Sequence, residues 1–453
     1  MHYVQEISQA FSHPEPALQI TGNGDLPSPF RVTDLAAESM GYAGVMLQRY
    51  ACQGSSVAEK PILVDRRLAS FWFGMSIRPI GWELPSVWDA IAGNYQAANG
   101  WIRLHTNAPH HKKAALTVLG CEADRDVVAR EVSQWQADEL EQAVVDQGGC
   151  AAAMRSLADW AQHSQGKAVQ AEPLIHLKTL NQHDAVKNNI DPARPLKGIR
   201  VLDLTRVLAG PIASRFLAAY GADVLRIDPL DWDEGAAIPE VTLGKRCARM
   251  DLRQADQLAH FKRLLAECDV LLHGYRPRAL DSLGLTEAVR QAINPGAIDV
   301  SLNAYGWSGP WSGRRGFDSV VQMSNGLAHQ GMMSSGSDKP VGLPVQALDH
   351  ATGYLLAASV IHGLIQRRNH GEIIQAKLSL ARTGESLASR GHHNRADALL
   401  PEQEVDLTPQ IEKSYWGDAR RVKFPLTIEG CTAHWDYPAS ALGSSPAVWL
   451  GDE

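Results

Sequence analysis

His105, His110 and His111 stand close together in LHTNAPHHK, a grouping of imidazoles that suits a metal ion when a carboxylate completes the set. No carboxylate accompanies them, so the pattern reads as a solvated loop and no metal is assigned. Asp349, in QALDHATGYLL, opens a run of small and apolar residues. An aspartate in that place caps a helix by accepting its orphan amides. Arg253 carries a guanidinium, which pairs well with phosphate and equally well sits in a solvated ion pair. The six cysteines (Cys52, Cys121, Cys150, Cys247, Cys268 and Cys431) are scattered without a Cys-x-x-Cys pair, the pattern of buried free thiols.

The elements that must hold these groups change character along the chain. Val128, Val132 and Trp135, then Leu140 and Val144, follow helical spacing up to Gly148 and Gly149, which predicts a helical hairpin. NGWIRLH reads as a turn feeding a short strand, so the first part is mixed α+β. The polar stretches NQHDAVKNNIDPARP and GHHNRADALLPEQEVD read as linkers, and the first marks a domain boundary near residue 190.

Beyond it, strand and helix alternate. Residues 199–204, 223–228, CDVLLH and 297–302 read as strands, with helices from Pro211 to Tyr220 and near Gln254 to Glu267. That alternation predicts a parallel, doubly wound sheet. A dinucleotide site ranks low, because the turn TRVLAGP holds a single Gly210 in place of a three-glycine cradle.

Composition narrows the classes further. Among 453 residues, 43 Lys and Arg against 50 Asp and Glu give a net charge of −7 without a basic run, which argues against nucleic acid. No stretch resembles a leader or a membrane span, so a cytoplasmic protein of two domains is expected.

The block LKGIRVLDLTRVLAGPIASRFLAAYGADVLRID resembles the opening of CoA-transferase family III, the group of formyl-CoA and crotonobetainyl-CoA transferases. GKRCARMDLR, DVLLHGYRPRALDSLGL, INPGAIDVSLNAYGWSGPWSGRRGFDSVVQMSNG and LPVQALDHATGYLLAASVIHGL follow in the family's order. The resemblance implies a Rossmann-like α/β domain that binds CoA. It also implies CoA transfer between an acyl-CoA and a carboxylic acid with no tightly bound cofactor, in a homodimer whose subunits interlock. The nucleophile would be Asp349, kept ionised by the helix dipole. Its route would run through an aspartyl anhydride and an aspartyl-CoA thioester.

By the same resemblance, Val207 and Ala209 belong to the turn that meets the nucleotide, Met250 to an adenine contact and Arg253 to a phosphate, while Arg226 is a candidate CoA contact as the cation nearest Pro229. Tyr275 and Tyr305 match aromatics of the site. Backbone amides beside Gly326 or Gly353 are candidate oxyanion donors, and His329, Gln330 and Met332 would lie nearest the acyl group. Pro229 stands where many members have a cation and Ser282 where an arginine is usual, with Arg276 or Arg278 as substitutes. In the related α-methylacyl-CoA racemases a histidine works with the aspartate. Its place here is Phe317, which moves no proton and disfavours racemisation. An isomerase and a non-catalytic CoA-binding protein remain the alternatives.

The order is unusual. The family's small-domain module, at about residues 99–177 within an N-terminal domain of 1–190, precedes the catalytic domain of 191–453. The chain is therefore expected to be permuted or the remnant of a duplication, with KFPLTIEGCTAHWDYPASALG as a returning terminal segment.

Overall fold

A computed structural model gives the fold and describes residues 2–53, 60–183, 185, 189–391 and 397–451. Both expected linkers lie partly outside these residues. The central sheet has seven strands: β1 (His176–Gln182), β2 (Arg200–Leu204), β3 (Asp223–Asp228), β4 (Arg246–Arg249), β5 (Val270–His273), β6 (Ile298–Asn303) and β7 (Glu372–Ser379). They lie in the order β4-β3-β2-β5-β6-β7-β1. All pairs are parallel except β7 with β1, which closes one edge antiparallel. The expected doubly wound α/β sheet is present.

Strands buried on both faces read as continuous apolar runs, and alternate residues serve two cores. Val201, Val224, Leu272 and Val300 face one core, while Leu202, Leu225, Ile227 and Leu271 face the other, which is covered by Phe261 and Leu265. The first core holds three helices, α1 (Val32–Ala51), α2 (Ala209–Ala219) and α4 (Ala347–His370). Shorter helices α3 (Asp318–Ser324) and α5 (Leu380–Ala388) flank α4.

Residues 91–153 have a core of their own. Three antiparallel strands, Gly93–Ala97, Gly100–Leu104 and Ala151–Ala153, pack Tyr95, Ile102 and Leu104 against Val128, Val132, Leu140 and Val144 of the expected helical hairpin. The segment before it does not belong with it. Tyr3, Leu35, Met46, Val64 and Phe73 join the core of the large sheet, so the packing does not follow a division at residue 190. In the C-terminal segment, Leu426–Thr427 pairs with Ile62–Asp65, and Trp449 seals the second core.

Helices α1 and α4 begin alike. Pro29 and Pro344 each precede a tight turn in which Val32 N–H donates to Phe30 (2.9 Å) and Ala347 N–H to Val345 (2.7 Å). The N-cap residues Arg31 (φ −77, ψ 58) and Gln346 (φ −75, ψ 64) share a torsion pair, and Asp34 and Asp349 are the third residue of each helix. Each helix leads to a strand whose last residue, Asp65 or Ser379, caps the next helix with its side chain. The two long helices pack against each other.

Candidate active site

At a doubly wound sheet a ligand meets the carboxyl ends of the strands where the winding reverses, here between β2 and β5. The turn after β2 is built tightly. Asp203 accepts from Thr205 N–H (2.8 Å), Thr205 Oγ1 (2.5 Å) and Ser214 Oγ (2.5 Å), and it faces the buried Lys245. Val207 takes φ +66, a strained value for a β-branched residue, and its N–H donates to Glu234 Oε1 (2.7 Å). Gly210 fits because any Cβ there would meet Thr205 at 2.2 Å.

From that turn Arg206 reaches across the reversal point. Its guanidinium lies over Trp232 (4.9 Å) and Tyr275 (5.3 Å) and donates to Tyr275 Oη (3.0 Å). Tyr275 and Arg276 line a cleft of about 830 Å³ with Arg278, Trp307 and Lys377. Among the described residues, Arg276 and Arg315 have no carboxylate within ion-pair distance. Burial and the Arg315 charge lower the Arg276 pKa, the condition of cations that await an anion.

Helix α4 presses onto the same turn. A Cβ on Gly353 would stand 2.6 Å from the Ala209 carbonyl oxygen, so only glycine permits this approach. Asp349, one turn earlier, is buried, and its N–H donates to Asp318 Oδ2 (2.9 Å) at the start of α3. Two carboxyl groups thus share a buried corner. Burial raises Asp318 to about 6, against the amides of Asp349, Gln322 and Leu348, which favour its anion. Burial and then the Asp318 charge raise Asp349 well above the ordinary carboxylate range. The expectation of an ionised Asp349 is therefore corrected, since burial beside a carboxylate that accepts more hydrogen bonds outweighs the helix dipole.

Other expected contacts sit elsewhere. Arg226 has no solvent exposure and forks onto Asp228 (2.8 and 2.9 Å) with Glu234 at 2.9 Å, so it holds the turn and presents nothing to a phosphate. Met250 is in the second core. Arg253 is exposed and pairs with Asp251 (2.7 Å). Tyr305 is fully buried and meets Ser324 Oγ at 2.9 Å, bracing the end of α3. Gly353 lies a turn inside α4, where its N–H closes the helix, so it supplies close approach and no oxyanion donor. His329 and Gln330 are half-buried on Leu327–Ser335, beside the Leu157–Gln162 helix. His105 and His111 are buried, so the solvated-loop reading of them is also corrected.

Sequence reasoning missed Arg206, Glu234 and Asp318. Asp318 directly follows the position compared with the racemase histidine, and a carboxylate there was the available signal. Among the described residues, no cluster of His, Cys, Asp and Glu could hold a metal ion, and no helix is long and apolar enough to cross a membrane.

Fold and site together define an α/β protein of the doubly wound type, with a buried carboxyl pair on α3 and α4 and a cleft lined by Tyr275, Arg276, Arg278 and Lys377. Residues 196–406 match the model of CoA-transferase family III, the family that the motifs resemble. A probable fatty acyl-CoA transferase of Mycobacterium tuberculosis is 31% identical over 231 residues, 47% of this chain and 58% of that protein. Human succinyl-CoA:glutarate CoA-transferase is 33% identical over 198 residues, 41% of this chain and 44% of that protein. A CaiB/BaiF family protein from Brucella suis matches at 25% identity with a TM-score of 0.39, over 50% of this chain and 65% of that one. The chain spans about half the length of the curated relatives it matches.

Proposed function

We propose that this protein is an acyl-CoA:carboxylate CoA-transferase with Asp349 as nucleophile. One observation carries the reading: Gly353 seats α4 against the turn at the sheet's reversal point, and one helical turn before it Asp349 forms a buried carboxyl pair with Asp318. The ionised Asp349 attacks the thioester carbonyl, the C–S bond breaks, and CoA leaves as thiolate. The thiolate attacks the aspartyl carbonyl of the anhydride, releases the first acid and leaves a β-aspartyl-CoA thioester. An incoming carboxylate attacks the aspartyl carbonyl, expels CoA as thiolate and forms a new anhydride; the thiolate then attacks the acyl carbon of the incoming acid and frees the Asp349 carboxylate. Burial keeps water from the two activated intermediates. Arg206, Arg276 and Arg315 offer the charge that CoA phosphates need.

CoA thioesters are substrates here and no resident cofactor is invoked. The relatives' names span fatty acyl-CoA and succinyl-CoA with glutarate, so the acids remain open at this level. The test is formation of a new acyl-CoA from a donor thioester and a panel of acids. Exchange of the α-hydrogen for deuterium without any acceptor acid would favour the isomerase, and CoA binding without either reaction the non-catalytic alternative. The homodimer belongs to the same proposal, with sedimentation as its test.

Asp318 sets the pH behaviour. Attack requires Asp349 to lose its proton, so transfer rises with pH through the raised value. Asp318→Asn removes the neighbouring negative charge and should move this acid limb down by roughly one unit. An unmoved limb would show that Asp318 does not govern Asp349.

The likeness of α1 and α4 supports a duplicated remnant over a permuted chain. Asp34 holds the place of Asp349, but it is paired with Arg66 (3.0 Å) and Arg31 (3.4 Å). Asp34→Asn should keep transfer within about twofold and cost no more than about 1 kcal/mol of stability. Loss of transfer in a folded Asp34→Asn protein would assign that residue a part in the chemistry.

A further inference from the structure

Gln322 lies one turn beyond Asp318 on α3, the spacing at which two side chains on one helix face meet, and it is 3% exposed. Its Nε2 donates to Asp318 Oδ1, while its Oε1 accepts from Leu343 N–H (2.6 Å). A side-chain amide donates from one end and accepts at the other, so the backbone donor at Leu343 fixes which end meets Asp318. The approach is close, since a Cβ on Gly342 would stand 2.9 Å from Gln322 Oε1. Residues 341–346 run from Val341, whose N–H donates to the Ala328 carbonyl (3.2 Å), into the tight turn that starts α4. Gln322 therefore ties α3 to the segment that leads to Asp349.

Asp318 accepts from Gln322 on Oδ1 and from Asp349 N–H on Oδ2 (2.9 Å). Hydrogen bonds to both oxygens favour its anion, as does the charge of Arg103 on the Gly100–Leu104 strand. Burial and the Asp318 charge both oppose ionisation of Asp349. The neighbours from other elements are uncharged. His105 and His111, which meet the ring of Phe317 at 3.9 and 5.8 Å, are held neutral by burial, at about 3. From α5, Thr383 shares a hydrogen bond with Thr352 of α4 (2.7 Å).

We propose that Gln322 is a positioning residue for the transfer: it fixes the negative charge of the pair on Asp318 and, through that charge, holds the first turn of α4 and with it Asp349. It acts through Asp318 and Leu343, both within the protein. The proposal rests on the reading of Asp349 as nucleophile for its effect on rate, and on the hydrogen bonds of one amide for its effect on charge.

Gln322→Met keeps the length of the side chain and removes both hydrogen bonds. It should lower kcat by about 10-fold or more and leave KM for the acyl-CoA within about twofold. Asp318, short of a donor, keeps its proton to higher pH, so Asp349 ionises beside a neutral neighbour and the acid limb of transfer moves down by roughly one unit. In the Asp318→Asn background the same change should move the limb no further, because Gln322 acts on it through Asp318. Gln322→Glu keeps the test open if Gln322→Met fails to fold. While protonated, its carboxyl donates to Asp318 and accepts from Leu343; once ionised it repels Asp318, so transfer should gain a descending limb that the wild type lacks. A limb that Gln322→Met moves equally in both backgrounds, or a wild-type profile in Gln322→Glu, overturns the proposal. Infrared titration of the Asp318 carboxyl in the Asp349→Asn protein needs no chemistry, and there Gln322→Met should raise the midpoint by roughly one unit. An unmoved midpoint overturns the proposal. A raised midpoint, with a wild type that transfers nothing, would uphold the hold of Gln322 on Asp318 and refute the transfer reading.

Discussion

Asp349→Asn is expected to lower CoA transfer by about 10⁴-fold or more while leaving the protein folded, because the amide keeps the shape and loses the nucleophile. The same substitution should stabilise the protein as pH rises. Burial and Asp318 lift the Asp349 pKa in the folded state above its unfolded value. The folded protein therefore holds a proton that the unfolded chain has released. The stability this proton contributes is fully present below the unfolded value and is lost as pH rises through the folded value. The variant has no such loss, so its margin over the wild type should grow with pH, by about 1.4 kcal/mol for each unit of difference. Urea unfolding at a series of pH values measures the margin, and a constant margin would show that Asp349 ionises normally.

The second large effect is on stability alone. Glu240 is fully buried between Arg215 and Arg421 and also accepts from Ser76 Oγ (2.9 Å), Ser76 N–H (3.0 Å) and Ile77 N–H (3.1 Å). Burial alone would raise its carboxyl, but the two guanidinium charges hold it below the ordinary range. The cluster ties α2 to the Ile77–Pro79 strand and to the C-terminal segment, three parts of the chain far apart in sequence. Glu240→Ala leaves Arg215 buried without its anion and Arg421 with Glu412 alone (2.6 Å), and should cost about 3–5 kcal/mol. Trp72, 4.6 Å beneath Arg215, is a fluorescence reporter at the cluster. A cost under about 1 kcal/mol would mean that solvent or a rearranged Glu412 takes over the charges.

The sheet was legible because its strands are buried on both faces and carry unbroken apolar runs, as in VLLH of β5, between helices of clear period. The turn with one glycine was legible too, since Gly210 packs on Thr205 directly after β2. The candidate site was legible only where a residue's place is set by its own element, as for Asp349 at the start of α4. Arg226 looked like a free cation next to a strand end. Its consumption by Glu234 depends on a loop that folds back, which local sequence does not announce. His105 and His111 looked solvated because their covering ring, Phe317, comes about two hundred residues later in the chain. The helix dipole argument for Asp349 failed for a similar reason, since Asp318 approaches from another helix and its charge is invisible in QALDHATG.

The most direct test of the account is peptide mapping of the protein after incubation with a CoA thioester and trapping with hydroxylamine. The account predicts one modification per chain, on Asp349, absent from Asp349→Asn and never on Asp34. A modification on another residue, or transfer that persists in the Asp349→Asn protein, would contradict it.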